Sequence, residues 1–119
     1  MATRQREEMN MAYNEALANR VRSYLTHHPS YQEKKMFGGL AMMLNGNMCC
    51  GVVGEELMAR VGPDRYEDSL RVEYVRQMDF TGKPLRGMVY IAAAGVSKED
   101  ELAIWVGLSE AFALSLPPK

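Results

Sequence analysis

The sequence predicts an α+β domain, a two-layer α/β sandwich in which three helices pack on a five-stranded, mainly antiparallel sheet. Three observations predict it. Apolar residues recur at helical spacing near both ends of the chain, and short apolar runs separated by turn residues fill the middle. The 119 residues also suffice for one core and not for two. The expected order is α-β(3)-α-β(2)-α, and residues 1–119 should form a single domain with about the first ten disordered.

The first helix is expected between Met11 and His28, where Tyr13, Leu17, Val21, Tyr24 and Leu25 fall on one side and Asn19, Arg20 and Arg22 on the other. Pro29 stops it. Leu40–Leu44 and Met48–Val53 are apolar runs joined by Asn45-Gly46-Asn47, and Asn-Gly is the preferred chemistry of a tight hairpin turn. Gly54-Glu55 turns the chain into a third strand through Leu57, Ala59 and Val61. Gly62-Pro63-Asp64 then places proline at a first helical position with an acid beside it, opening a short helix to about Leu70. Val75–Phe80 and Met88–Ala93 read as two more strands around the loop 81–87. Ser97 is the expected cap of a last helix, with Asp100 at the capping-box position, and Pro117-Pro118 ends it.

On these strands both alternating sets of side chains are apolar, as in Leu40, Met42 and Leu44 against Ala41 and Met43. Two covered faces follow, and three helices cover only one, so the second face is expected to bind a partner or a second copy of the chain. The last helix points the same way, because Ile104, Leu108 and Ala111 extend its apolar surface beyond the side that Leu102, Trp105 and Phe112 occupy. A homodimer is the expected assembly.

Fourteen basic residues against 15 acidic ones give a net charge of −1, which excludes a whole-molecule field of the kind that marks dedicated nucleic-acid or membrane-surface binders. Arg4, Arg6, Arg20 and Arg22 could still contact phosphates, but no base-stacking aromatics interleave them. Met1–Glu8 are polar, with no apolar stretch after them, and no run approaches the ~18 residues of a membrane span, so a cytoplasmic protein with no membrane contact is expected. The adjacent pair Cys49 and Cys50 should be two free thiols, placed by strand alternation on opposite faces.

Candidate chemistry is sparse. A thiolate at Cys49 would be nucleophilic only beside a cation, and its apolar strand instead suggests packing. His27-His28 on a helix would diverge by about 100°, and no second histidine lies at a ligand spacing, so neither metal nor cofactor is expected. Lys34 and Lys35 with Lys83 and Arg86 would form a basic rim if the sheet entry and the loop 81–87 are neighbours. Together with Phe37 and Cys49 these residues make the candidate ligand or partner surface. Asp79 is expected to hold that loop through Arg86. The ten methionines suit either core filling or an adaptable binding surface.

The segments KKMFGGLAMMLNGNMCCGV (34–52), GPDRYEDSLR (62–71), MDFTGKPLRGMVYI (78–91) and AIWVGLSEAFALSLPPK (103–119) resemble, in the same order, the N-terminal domain of TfoX/Sxy-type proteins, bacterial regulators associated with natural competence. The resemblance implies a two-layer α+β fold similar to that of type III secretion chaperones. Full-length regulators of this type carry a second, C-terminal domain, whereas this chain ends at Lys119, so a stand-alone single-domain member is implied. The resulting expectation is a non-enzymatic regulatory or protein-interaction module. The alternative is a small-molecule-binding domain or small enzyme with a pocket near Phe37, Cys49 and Arg86.

Overall fold

The computed structural model describes residues 13–36, 38–78 and 86–119. Its elements run α1 (Glu15–Leu25), β1 (Gln32–Met36), β2 (Gly39–Leu44), β3 (Asn47–Val53), β4 (Glu56–Arg60), α2 (Pro63–Leu70), β5 (Val75–Gln77), β6 (Met88–Ile91), a 3₁₀ turn (Ala93–Gly95) and α3 (Glu99–Ser115). All strand pairs are antiparallel, in the order β1-β2-β3-β4-β6-β5. The sheet therefore has six strands where five were expected. The additional strand, β1, reads Gln-Glu-Lys-Lys-Met and is almost wholly exposed, so it carries no apolar alternation to announce it. It forms because the β2 edge offers a backbone ladder, and its charges block further strands from adding there.

Each helix starts for a local reason. The Asn14 side chain accepts a hydrogen bond from the Leu17 N–H at 2.8 Å, capping α1, which buries Leu17, Ala18, Val21 and Leu25. Helix α2 has Pro63 in its first turn, preceded by Gly62 at φ +87°, a conformation that disfavours a side chain. A Cβ at Gly62 would also stand 2.5 Å from the Phe112 ring, so this glycine lets α3 pack on the start of α2. The expected capping by Ser97 is not what begins α3. Lys98 holds the cap position without a side-chain bond, while the Ser97 hydroxyl donates to Ala94 O at 3.3 Å and closes the preceding 3₁₀ turn. Three acids in the first turn, Glu99, Asp100 and Glu101, complement the helix dipole instead.

The Asn45-Gly46 turn forms as expected, with both residues at positive φ (54° and 78°), the type I′ geometry of a two-residue hairpin. Strands β5 and β6 are shorter than expected: β6 stops at Ile91, ahead of the 3₁₀ turn that starts at Ala93, and residues 79–80 of the expected strand lie outside those described. Helix α1 ends at Leu25, three residues before the expected stop.

The three helices share one face of the sheet, where Leu40, Met42, Leu44, Cys50, Val52, Leu57, Val89 and Ile91 meet Val21, Tyr66, Leu102 and Trp105. On the opposite face Ala41, Met43, Met58, Met78 and Tyr90 form a second cluster, flanked by Met36, Met48, Val53 and Met88. All five central residues of this second face are at most 8% exposed within a single copy of the chain, while Met36, Met48, Val53 and Met88 around them are half-buried.

Candidate functional site

Among the described residues, Lys34 and Lys35 are not brought together with Arg86. Phe37 and Lys83 lie outside the described residues, as does Asp79. Lys34 and Lys35 are exposed on β1, paired with Ala41 and Leu40, so their side chains leave opposite faces of the sheet. Arg86 precedes β6, and with β2, β3 and β4 between β1 and β6 the two strands are about 19 Å apart. Its guanidinium sits 3.6 Å from Glu67 and over the Tyr66 ring, belonging to the α2 surface. Arg20 and Arg22 are engaged within the fold: Arg20 binds Glu99 and the Val96 carbonyl, and Arg22 binds Glu15, Asn19 and Glu33.

Cys49 and Cys50 are both fully buried and face the same helix-side core, against the alternation expected of neighbours in a strand. The cause is a β-bulge. Met42 pairs with Cys50 and Met43 with Met48, leaving Cys49 as an extra residue on β3. The thiol–thiol hydrogen bond to Cys49, with full burial, pushes the Cys50 thiol well above its ordinary range. Neither cysteine has the cation and access that a nucleophilic thiol requires.

The histidines also depart from expectation. Because α1 ends at Leu25, His27 and His28 occupy the turns after it, and their rings lie side by side, 4.2 Å between centroids and tilted by 34°, instead of diverging. His28 Nε2 lies 2.5 Å from Glu110 Oε2 of α3.

The most exposed large apolar side chains among the described residues gather on the outer side of the helical layer: Val72, Tyr74, Ile104 and Leu114, from 43 to 61% exposed. Three of them edge a hollow of about 420 Å³ between α2 and α3, floored by Trp105 and Leu108. Arg65 separates it from a second hollow of about 280 Å³ bounded by Val61, Gly62 and Phe112. The rim carries Asp68, Glu73 and Glu101 beside Arg65. Tyr74 holds a left-handed backbone at φ +72°, a costly conformation for a bulky residue that sets its ring at this rim. Sequence reasoning reached Ile104 and Leu108 through the all-round apolar character of α3 but missed Val72 and Tyr74, which stand in a connection without periodicity.

Along α3, Ile104, Gly107, Ala111 and Leu114 follow at spacings of three, four and three, on the side turned away from the core stripe of Leu102, Trp105, Val106, Ser109 and Ala113. No helix among the described residues is long and apolar enough to cross a membrane.

No curated protein and no solved structure gives a significant match. The sequence model of the TfoX N-terminal domain matches residues 23–113, more than half of the chain, and spans β1 to β6 and nearly all of α3. With the α+β fold and antiparallel sheet described above, the chain belongs to the TfoX N-terminal domain family.

Proposed function

We propose that this domain is a non-enzymatic regulatory module that acts as a homodimer, its two copies joined through the outer face of α3. The observation that carries this reading is the order of side chains along that face. Ile104, Gly107, Ala111 and Leu114 run large, small, small, large, a pattern that reads the same in both directions. A two-fold interface uses one patch on both copies, so a palindromic patch is self-complementary in an antiparallel pair. Gly107 then lies against Ala111 of the partner subunit, where small side chains permit axes as close as about 8 Å. Leu114 of the partner subunit reaches the hollow between Tyr74 and Trp105, which gives that cavity an occupant of matching chemistry.

Two further observations support the module reading. The central residues of the second sheet face are buried within one copy, which favours the helix over the sheet as the seam, and both thiols are fully buried. Membership of the family is consistent with a regulatory role like that of the competence regulators whose N-terminal domain the chain resembles.

The double variant Gly107→Cys/Ala111→Cys tests the geometry. A Cβ at Gly107 meets nothing within 4 Å, so the substitution is accommodated in the free chain. Mild oxidation should yield a disulfide-linked dimer, and adding Ile104→Glu should abolish it. Cross-linking no greater than that of an exposed control such as Asn19→Cys would refute the seam.

A further inference from the structure

The turn after α1 and the fourth turn of α3 place two imidazoles and a carboxylate side by side at an edge of the helical layer remote from the α2–α3 hollow. The His28 N–H bonds Leu25 O and the Tyr31 N–H bonds His28 O, so two successive turns fix the backbone that presents His27 and His28. Glu110 comes from α3 with its Oε2 atom 2.5 Å from His28 Nε2. One ligand atom from each of His27, His28 and Glu110 lies within 4.8 Å of the others. A divalent zinc ion binds such donors at about 2.0–2.2 Å, which sets donor–donor separations of roughly 3–4 Å. The cluster brackets that range: the His28–Glu110 pair must open by roughly 0.5–1.5 Å, and the exposed His27 ring must swing in from its tilted place beside His28.

We infer that His27, His28 and Glu110 form a binding site for a divalent transition-metal ion of the zinc, cobalt or nickel class. Two neutral imidazoles with one carboxylate are borderline donors, which favours these ions over magnesium or calcium, whose sites are built from oxygen. Three protein ligands leave at least one position to water, so the ion is exchangeable. Its effect on the fold is to tie the end of α1 to α3, replacing a hydrogen-bonded pair by a three-point clamp.

The test uses the full chain, purified without a histidine tag and freed of metal by chelation. Titration with Co²⁺, followed by its visible d–d absorption, and with Zn²⁺, followed by calorimetry, should give one equivalent bound and an affinity near micromolar. Zn²⁺ at a hundredfold excess over its Kd should raise Tm by about 10 °C. His27→Ala, which removes an exposed ring, should leave the metal-free Tm unchanged and weaken binding at least tenfold, and Glu110→Gln should weaken it by about as much. A Kd weaker than about 100 μM, binding unaltered by His27→Ala, or cobalt–thiolate charge-transfer absorption that reports binding at the cysteines would each overturn the assignment.

Discussion

Cys49 and Cys50 are sequence neighbours whose sulfurs share one side of the sheet, because β3 bulges at Cys49 against Met42 and Met43. The bulge also turns Met48 to the opposite face, where it joins the methionine-rich cluster. One extra residue thus decides which core three side chains enter.

Both thiols should consequently resist modification in the native protein. Both thiols are fully buried, and the raised pKa of Cys50 leaves almost none of it as thiolate at neutral pH. An aromatic disulfide reagent at pH 8 should titrate two groups only after denaturation, with native reaction no faster than global unfolding. A rapidly reacting thiol in the folded chain would show that the β3 bulge opens readily.

Trp105 is 7% exposed and packs with Leu102 and Val106 in the main cluster while its edge floors the hollow. Replacing it with alanine should cost about 3–5 kcal/mol, the range for deleting a large aromatic from a core. Urea denaturation should show the midpoint falling steeply. A loss below about 1 kcal/mol would make the indole a surface group.

The hydroxyls of Ser109 and Tyr66 are buried without a hydrogen-bond partner among the described residues. Ser109→Ala removes an unsatisfied group from the middle of α3 and improves helix propensity. It should stabilise the fold by about 1 kcal/mol, raising Tm by roughly 4 °C. Destabilisation of that size would reveal a partner that the hydroxyl needs.

Acid sensitivity should trace to the β1 edge. Hydrogen bonds from Arg22, with the Tyr31 hydroxyl, hold the Glu33 carboxyl below its ordinary value of 4.5. A depressed carboxyl stabilises the fold above its unfolded value, and that stability is lost as the pH falls through the folded one. Wild-type stability should therefore decline below about pH 5, with Glu33→Gln flatter over the same window. The pair lies at the surface, so the difference should stay under about 1 kcal/mol. A Glu33→Gln profile parallel to wild type would place the acid-labile group elsewhere.

What the sequence made legible follows periodicity and turn chemistry. The amphipathic spacing of α1, the Asn45-Gly46 hairpin and Pro63 at the start of α2 are local signals, and each element stands where its signal does. Strand β1 was hidden because Glu33, Lys34 and Lys35 owe their extended form to the neighbouring ladder and not to their own preference. The bulge was hidden because no residue type marks it. The basic rim assumed that Lys35 and Arg86 adjoin, and strand order, a tertiary property, separates them. His27 and His28 lie beyond the helix end at Leu25, so the divergence of helical neighbours does not govern their rings. The central apolar side chains of the sheet are buried within one copy, and the exposed large apolar residues among those described lie on α3 and the connection before β5.

The mass of the chain in solution tests the central claim most directly. Light scattering coupled to size exclusion, at tens of micromolar protein, should give about twice the 13.4 kDa chain mass. Ile104→Glu should give a folded species of single-chain mass with an unchanged far-UV spectrum. A wild-type mass near 13.4 kDa, or an Ile104→Glu variant that remains dimeric, would contradict the α3 seam.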